Sequence, residues 1–347
     1  MNKIPVPFKV LQFGLGTMGR IIAQTLMGRG NLELVGAVDV NPEYTGKSVE
    51  EILGSDHKTS TLIFNSLESA LRVLGAQPAD IALIATLSSL DDIASSISDC
   101  FEVGMDVVSL CEELSYPYIR HPELSRDLDE LAKKHGKTVL GTGINPGFLM
   151  DLLPICLSAP CQRVDTIHVT RCINSSRRRS SFQKKIGTGM SPEAFKRAIS
   201  EGAITGHVGL VESIRMIDDA LGLKLDYVEE LPPEPVIASA DIETPIADVK
   251  KGWVIGLKST GVGRKDQRTV VTLNFVAHAG ATPEFDEVSI EGHPKIVQRI
   301  EGGVQGDHGT VGMVLNMIPL VIEAQPGLFT MKDLPCPRNT QSFWKSD

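Results

Sequence analysis

The chain has no excess of basic residues, no long apolar run, no paired-cysteine motif and no internal repeat. Lys and Arg number 34 against 43 Asp and Glu, giving a formal net charge of −9 over 347 residues. A partner held mainly by phosphate neutralisation needs the opposite sign, so nucleic acid is not expected as a partner. The longest apolar stretches, residues 81–87 and 314–322, fall well short of the roughly 20 residues that a bilayer requires. No membrane span is expected. The opening Met-Asn-Lys-Ile-Pro-Val-Pro carries no apolar secretory segment, which points to a cytoplasmic protein. The cysteines, at positions 100, 111, 156, 161, 172 and 336, form no Cys-x-x-Cys pair and lie near no His pair at zinc spacing. They read as free thiols of a reducing cytosol, and no metal site is expected. What remains is ordinary globular composition, 42% apolar and 22% charged, enough for a sizeable core. At roughly 150 residues per domain the length allows about two domains.

The first 145 residues alternate strand and helix signals. Strands are predicted at 8–13, 32–40, 61–64, 80–85, 106–111 and from 137. Helices are predicted at 17–27, 48–53, 66–74, 90–103 and 122–135. Continuous apolar strands alternating with helices imply a parallel sheet covered on both faces, the doubly wound Rossmann arrangement. After Asn145-Pro146-Gly147 the pattern changes. An apolar helix over 148–157 is followed by longer alternating strands at 166–173, 253–259, 269–277 and 287–290. Two helices lie between them, one opening at Ser191-Pro192 and one over 208–221. This reads as an α+β domain with an open mixed sheet. A last apolar helix, 309–322, returns toward the first domain, and the tail from Pro335 looks irregular. The expected division is 1–145 for nucleotide binding, 146–305 for substrate and dimerisation, and 306–347 for the returning helix and tail.

The first strand runs into Gly14-Leu15-Gly16-Thr17-Met18-Gly19. A Gly-x-Gly-x-x-Gly segment is weak alone, but here it follows a strand and opens a helix. Gly14 permits the tight turn, Gly16 lets a pyrophosphate approach the backbone, and Gly19 lets the helix pack on the strand. The helix start, with Thr17 and Met18, supplies N–H groups and a positive dipole end. Asp39 closes the second strand twenty residues after Gly19, where a carboxylate would bind the ribose 2′-hydroxyl. It favours NAD over NADP, while Asn41 and Lys47 keep NADP open. Thr86 and Ser88 follow the fourth strand and either face the cofactor or cap a helix.

The fifth strand ends in Cys111-Glu112-Glu113-Leu114-Ser115-Tyr116-Pro117. A carboxylate at the carboxyl end of a buried strand can serve as general acid/base beside a nicotinamide. Strand alternation would put Glu112 and Glu113 on opposite faces, and the sequence does not choose between them. Asn145 either caps the following helix or binds substrate. Arg171 alternates with Ile167, Val169 and Ile173, and an arginine on such a face either needs an anionic partner or covers apolar surface with its stem. His278 shares a face with Thr272 and Asn274, as a structural histidine or as part of a carboxylate site with Arg171 and Asn145. Arg177, Arg178, Arg179, Lys184 and Lys185 form a basic loop that is either solvated or anion-binding. His308 precedes the last helix.

Together the glycine fingerprint, Cys111 through Pro117, Gly143-Ile144-Asn145-Pro146-Gly147-Phe148, Gln183-Lys184-Lys185-Ile186-Gly187 and the stretch from Gly306-Asp307 to Pro319 resemble the 2,4-diaminopentanoate dehydrogenase and native amine dehydrogenase family. Its N-terminal domain is similar to that of dihydrodipicolinate reductase. The resemblance runs over nearly the whole chain. It implies a Rossmann domain with an α+β substrate domain, a homodimer formed through the second sheet, and NAD or NADP as cofactor. It implies oxidative deamination of a short-chain amine or diamino acid to a ketone plus ammonia, reversible as reductive amination. One of Glu112 and Glu113 would be the acid/base, and Asn145, Arg171, Asn174 and His278 would contact the substrate. The His-His pair and Ser-Gly-Thr segment of a true dihydrodipicolinate reductase are absent. The competing readings are another NAD(P)-dependent oxidoreductase, acting on a hydroxy acid or cyclic imine, and a non-catalytic nicotinamide-binding protein.

Overall fold

The computed structural model describes residues 7–54, 60–204 and 206–340. The residues before Pro7 and the end of the tail therefore lie outside the described part. Two compact units are present, one of Met1–Phe148 with Gly306–Asp347 and one of Leu149–Gln305.

The first unit opens as strand–helix alternation demands. β1 (Phe8–Phe13), α1 (Thr17–Met27), β2 (Leu32–Val38), α2 (Val49–Leu53), β3 (Ile63–Phe64), α3 (Leu67–Leu74), β4 (Ile81–Ile84), α4 (Leu90–Glu102), β5 (Asp106–Ser109), α5 (Pro122–His135) and β6 (Thr138–Gly141) follow in turn. Every residue of β4, β5 and β6 is buried, as expected of parallel strands covered on both faces. α5 carries its signals at both ends: Pro122 in the first turn and Gly136 at φ 64° closing it, the asymmetry that a helix start and stop favour. Ile22, Ala23 and Leu26 form the buried stripe of α1.

The second unit contains α6 (Leu152–Leu157), β7 (Arg163–Asn174), α7 (Ser180–Lys185), α8 (Pro192–Ser200), α9 (Leu210–Leu221), β8 (Tyr227–Ile237), β9 (Ile242–Thr244), β10 (Ala247–Val249), β11 (Val254–Lys265), β12 (Arg268–His278), β13 (Phe285–His293) and β14 (Ile296–Glu301). The chain then adds α10 (Gly306–Ile322) and β15 (Gly327–Phe329) to the first unit, where β15 pairs in parallel with β6.

The first sheet has the order β15-β6-β5-β4-β1-β2-β3, all parallel. This is the Rossmann order with one strand added beyond β6. The second sheet is mixed, in the order β14-β13-β7-β12-β11-β8, with only the β7–β12 pair parallel. Its helix-covered face carries Leu257, Leu273 and Phe275. α8 joins that core through Phe195 and Ala198, and α9 sets Leu210 and Ile214 against Gly261 and Gly263.

Several elements differ from the sequence reading. α6 starts at Leu152 because Asp151, fully buried, accepts the Leu152 N–H at 2.6 Å and the Ser213 hydroxyl at 2.7 Å. β8 escapes a pattern search because Pro232, Pro233 and Pro235 interrupt it. It lies at a sheet edge, pairing only with β11, where a missing N–H is tolerated. β5 ends at Ser109, so Glu112 and Glu113 stand on a turn, with a 3-10 segment at Glu113–Ser115. Strand alternation therefore does not govern them. Among the described residues no helix is long and apolar enough to cross a membrane.

That turn packs directly on the end of β6. A Cβ on Gly141 would stand 2.5 Å from the Leu114 carbonyl carbon and 2.7 Å from the Ser115 nitrogen. Both are backbone atoms, so the turn would have to move. Gly141→Ala is expected to cost about 1–3 kcal/mol or more, read as a lowered thermal midpoint. An unchanged midpoint would mean that the turn is free to shift.

Candidate active site

The carboxyl edge of the first sheet collects the turns that follow its strands. After β1, Gly14 takes φ +91°, and a Cβ there would lie 2.7 Å from the Ala85 carbonyl oxygen. A Cβ on Gly19 would meet the Gly14 carbonyl oxygen at 2.1 Å, whereas one on Gly16 would meet nothing within 4 Å. The three glycines thus do different work: a left-handed turn, a helix seated on its strand, and a backbone left open. Gln12, fully buried, braces the loop from below by donating to the Gly14 and Gly19 carbonyls at 2.9 and 2.7 Å. No side chain caps the start of α1, which leaves its dipole end for an anion.

Asp39 stands at the end of β2. Its carboxylate accepts the Leu15 N–H at 2.6 Å and the Asn41 N–H at 2.8 Å. A cavity of about 250 Å³ is lined by Gly14, Asp39, Val40, Ser66, Leu67 and Thr86. An open phosphate approach, a fixed acid and an adjoining cavity suit the pyrophosphate, ribose and base of a dinucleotide. Leu15 also accepts the Arg20 Nε–H at 3.0 Å, and the Arg20 guanidinium bonds the Tyr44 hydroxyl and lies over its ring. Ser88 contributes its carbonyl, which accepts from Cys111 Sγ at 3.0 Å and from the Glu113 N–H at 3.4 Å. It thus ties the turn after β4 to the turn after β5.

The two glutamates of that second turn are unlike. The Glu113 carboxylate, 16% exposed, accepts the Leu90 N–H at 2.9 Å and Arg120 Nη1 at 2.7 Å, and meets His121 Nε2 at 2.9 Å. Leu90 opens α4, whose cap Ser89 makes no side-chain bond, so Glu113 serves as the anionic cap of that helix. Burial pushes the Glu113 carboxyl up. The Leu90 N–H, Arg120 and His121 together outweigh burial and hold it below the ordinary glutamate range. His121 also lies 3.6 Å from Asp91. Glu112 is half-buried, and no hydrogen bond or ion pair among the described residues engages its carboxylate. Asn145 follows β6 on the same edge, one residue beyond Ile144, whose N–H donates to Thr310 on α10 at 3.3 Å. His308 lies in the first turn of α10.

In the second unit the sequence-expected residues separate. Arg171 is 2% exposed. Its Nε lies 3.5 Å from Asp286 Oδ1 and its Nη2 donates to the Val304 carbonyl at 2.5 Å. Register places Phe275 and Asp286 beside Arg171 on the helix-covered face. Asn174 pairs with His278 one register step out of phase, so both belong to the opposite face. Strand alternation thus sets Arg171 and His278 on opposite faces of the sheet. Asn174 instead organises the following loop, accepting the Ser176 and Gly280 N–H groups at 3.0 and 3.3 Å, and His278 Nδ1 meets the Ala279 carbonyl at 3.0 Å. In the basic loop, Arg177 pairs with Glu284 at 3.0 Å and Arg178 lies over Phe182. The sequence reading passed over Gln12, Arg120, His121 and His207. Their partners lie far along the chain or depend on loop geometry, and no short motif marks them. Among the described residues no cluster of His, Cys, Asp and Glu could hold a metal ion.

A parallel sheet with a glycine fingerprint at its first turn, followed by a unit with a mixed sheet, defines the class of two-domain nicotinamide-dependent dehydrogenases. Residues 148–346 match the model of the 2,4-diaminopentanoate dehydrogenase C-terminal domain. A 2,4-diaminopentanoate dehydrogenase of Acetoanaerobium sticklandii is 35% identical over 336 residues, covering 95% of this chain and 94% of that protein. An amine dehydrogenase of Streptomyces virginiae is 23% identical over 349 residues, covering 93% and 95%. Among solved structures, an amine dehydrogenase from Mycobacterium smegmatis superposes with a TM-score of 0.80 at 27% identity, covering 98% of this chain and 99% of that one. The chain belongs to the 2,4-diaminopentanoate dehydrogenase family.

A carboxyl held below its ordinary pKa adds stability above its unfolded value and loses it as pH falls through the folded one. Part of the protein's stability should therefore disappear below about pH 4.5 as Glu113 protonates. Glu113→Gln should be less stable at neutral pH and lose less on acidification, measured as thermal midpoints at neutral pH and at about pH 4. Equal losses in both proteins would count against the Glu113 anchor.

Proposed function

We propose that the chain is an NAD(P)-dependent amine dehydrogenase that oxidatively deaminates a short-chain amine or diamino acid of the 2,4-diaminopentanoate kind, and that Glu112 is its acid/base. The observation that carries the choice of Glu112 is the engagement of its neighbour. Glu113 is held by a helix N-terminus, an arginine and a histidine, whereas the Glu112 carboxylate is left to exchange protons. Family membership supports the reaction class. The open backbone at Gly16 and the fixed Asp39 support a nicotinamide dinucleotide, with Asp39 favouring NAD because a carboxylate repels a 2′-phosphate. When bound, the nicotinamide supplies the acceptor for the hydride that leaves the amine-bearing carbon.

The work of the chain is proton transfer and charge stabilisation. The Glu112 carboxylate takes a proton from the substrate ammonium, so that the free amine can lose hydride and become an iminium. The same negative charge stabilises that cation. Having released that proton to solvent, Glu112 accepts a proton from the water that attacks the iminium carbon and returns it to nitrogen as the carbinolamine collapses, its hydroxyl proton leaving as the ketone forms. Ketone and ammonia leave. Run in reverse, the same residue protonates the carbinolamine oxygen as water departs. Asn145, on the same sheet edge as Glu112, is assigned to the substrate, and Arg171, buried against Asp286 in the second sheet, is given a structural role. Asn174 and His278 are given structural roles.

A homodimer is proposed through the face of the second sheet that carries Thr170, Cys172, Asn274 and Val276. This face is half-buried, and α8 and α9 pack on the other one. All the cysteines are free thiols, which supports a reducing, cytoplasmic setting. Val276→Arg should convert a dimeric mass into a monomeric one in light scattering. A wild-type protein that is already monomeric would overturn the dimer.

The reaction is tested by NADH and NADPH oxidation with 2-amino-4-oxopentanoate, 4-oxopentanoate and 2-pentanone, each with and without ammonia. Turnover should require ammonia. Glu112→Gln should lower kcat by roughly 10²-fold or more while NADH still binds by fluorescence titration. Turnover without ammonia, or a fully active Glu112→Gln enzyme, would defeat the assignment.

A further inference from the structure

Among the described residues the Glu112 carboxylate has no hydrogen-bond or ion-pair partner of its own. A side chain held by nothing is aimed only by its backbone, so the turn that carries Glu112 decides where its proton is delivered. The inner side of that turn is packed. Cys111, Leu114 and Ser115 are buried, and the end of β6 backs the Leu114–Ser115 peptide at Gly141. The Ser115 N–H and hydroxyl both donate to the Glu112 carbonyl, at 3.1 and 2.6 Å. The outer side is held through the carboxylate of Glu113, which meets the Leu90 N–H at 2.9 Å, Arg120 Nη1 at 2.7 Å and His121 Nε2 at 2.9 Å.

These three anchors differ in stiffness. The Leu90 N–H is fixed by α4. The Arg120 side chain is long and 51% exposed, and an exposed ion pair contributes little. The His121 side chain is 14% exposed, and its backbone is tied on both sides. Its N–H donates to the Pro117 carbonyl at 2.8 Å, and its carbonyl accepts the Ser125 N–H and hydroxyl at 2.8 and 2.6 Å. A carboxylate only accepts, so Nε2 carries the hydrogen that meets Glu113. The other ring nitrogen, Nδ1, lies 3.6 Å from Asp91 in the first turn of α4. The ring is thus set between two acids, one at each nitrogen, and an orienting group behind it fixes its aim. His121 is the N-cap of α5, yet its side chain caps no N–H of that helix. The start of the helix does not call for a histidine there.

We propose that His121 is a positioning residue for the reaction: through Glu113 it locks the glutamate turn, and the turn sets Glu112 at the distance that proton transfer requires. This role rests on the reading of Glu112 as acid/base. A displacement of about 1 Å costs up to roughly 10²-fold in rate, so loosening one of three anchors should lower kcat by about tenfold. Substrate and dinucleotide are bound by other groups, and their affinities should hold.

The test compares wild type with His121→Asn and His121→Gln. Asparagine is a favoured N-cap, so α5 keeps its start, but its side chain is too short to replace Nε2 at Glu113. Glutamine reaches further and returns an N–H. With 2-amino-4-oxopentanoate, ammonia and NADH, His121→Asn should lower kcat about tenfold while KM for the ketone and for NADH stays within about twofold. His121→Gln should recover most of the loss. The turn is also read without turnover, through Cys111, which is 1% exposed and places its Sγ 3.0 Å from the Ser88 carbonyl. In cofactor-free protein, iodoacetamide labelling of Cys111, followed by peptide mass spectrometry, should run several-fold faster in His121→Asn than in wild type or His121→Gln. Unchanged kcat in His121→Asn, equal losses in the Asn and Gln variants, or a loss of kcat with wild-type Cys111 labelling would overturn the positioning role. If His121→Asn does not fold, Asp91→Asn, at the exposed end of the network, should move both readouts the same way by about twofold, and no movement in either would overturn the role. Failure of the acid/base reading looks different. A fully active Glu112→Gln enzyme, with Cys111 labelling still raised in His121→Asn, removes Glu112 from the chemistry and leaves the clamp on the turn standing.

Discussion

A parallel sheet buried on both faces is the constraint from which the site follows. Its strands cannot be joined by tight hairpins, so each passes through a covering helix and returns with the same direction. Every strand-to-helix turn then lies on one edge. The glycine loop after β1, Asp39 after β2, Thr86 after β4, the glutamate turn after β5 and Asn145 after β6 all stand there, although they span residues 14–145 of the chain. Close packing makes the edge stiff. Gly14 is pressed on Ala85 and Gly141 on Leu114, so the turns cannot move independently of the sheet. A proton donor that must be placed within a fraction of an ångström benefits from such backing.

Electrostatics then separates two adjacent residues of the same chemistry. Glu113 and Glu112 have the same intrinsic acidity and nearly the same backbone position. The first N–H of α4, the Arg120 guanidinium and the His121 ring converge on Glu113. A carboxylate with three such partners stays ionised and stationary. It has no reason to exchange protons with a substrate. Its neighbour carries no such load. The sulfur of Cys111, donating to Ser88, and the Ser115 hydroxyl, donating to the Glu112 carbonyl at 2.6 Å, hold the turn from either side.

The second sheet shows how period two sorts polar residues. Arg171 and His278 are both polar residues in apolar strands, and in the sequence each could join one site. Register pairs Arg171 with Phe275 and His278 with Asn174, which sets them out of phase along the strands. Arg171 then finds Asp286, the residue opposite it on β13. A buried pair of this kind is weak evidence for stability, but it orients the guanidinium beside the His207–Phe275 stack.

The sequence by itself determined the fold class, the dinucleotide edge and the family. Each rests on local signals: apolar strand runs, helix caps, glycines whose roles depend on near neighbours, and an acid at a set distance from them. It also set Arg171 on one strand face with Ile167, Val169 and Ile173, because alternation is a property of the strand alone, while leaving open whether its head meets an anion or water. It could not choose between Glu112 and Glu113. Their difference comes from Leu90, Arg120 and His121, which approach only when α4 and α5 pack. It could not separate Arg171 from His278, since register is set between strands a hundred residues apart. Nor could it mark His207, an isolated histidine in a glycine-flanked loop whose stacking partner, Phe275, lies on a distant strand. β8 stayed hidden for a related reason: its prolines are compatible with a strand only at an edge, and an edge exists only once the sheet is assembled. Local covalent and steric preference was legible in the chain. Whatever depended on which distant groups share a low-dielectric neighbourhood was decided by tertiary structure, because charge, desolvation and hydrogen-bond competition act through space.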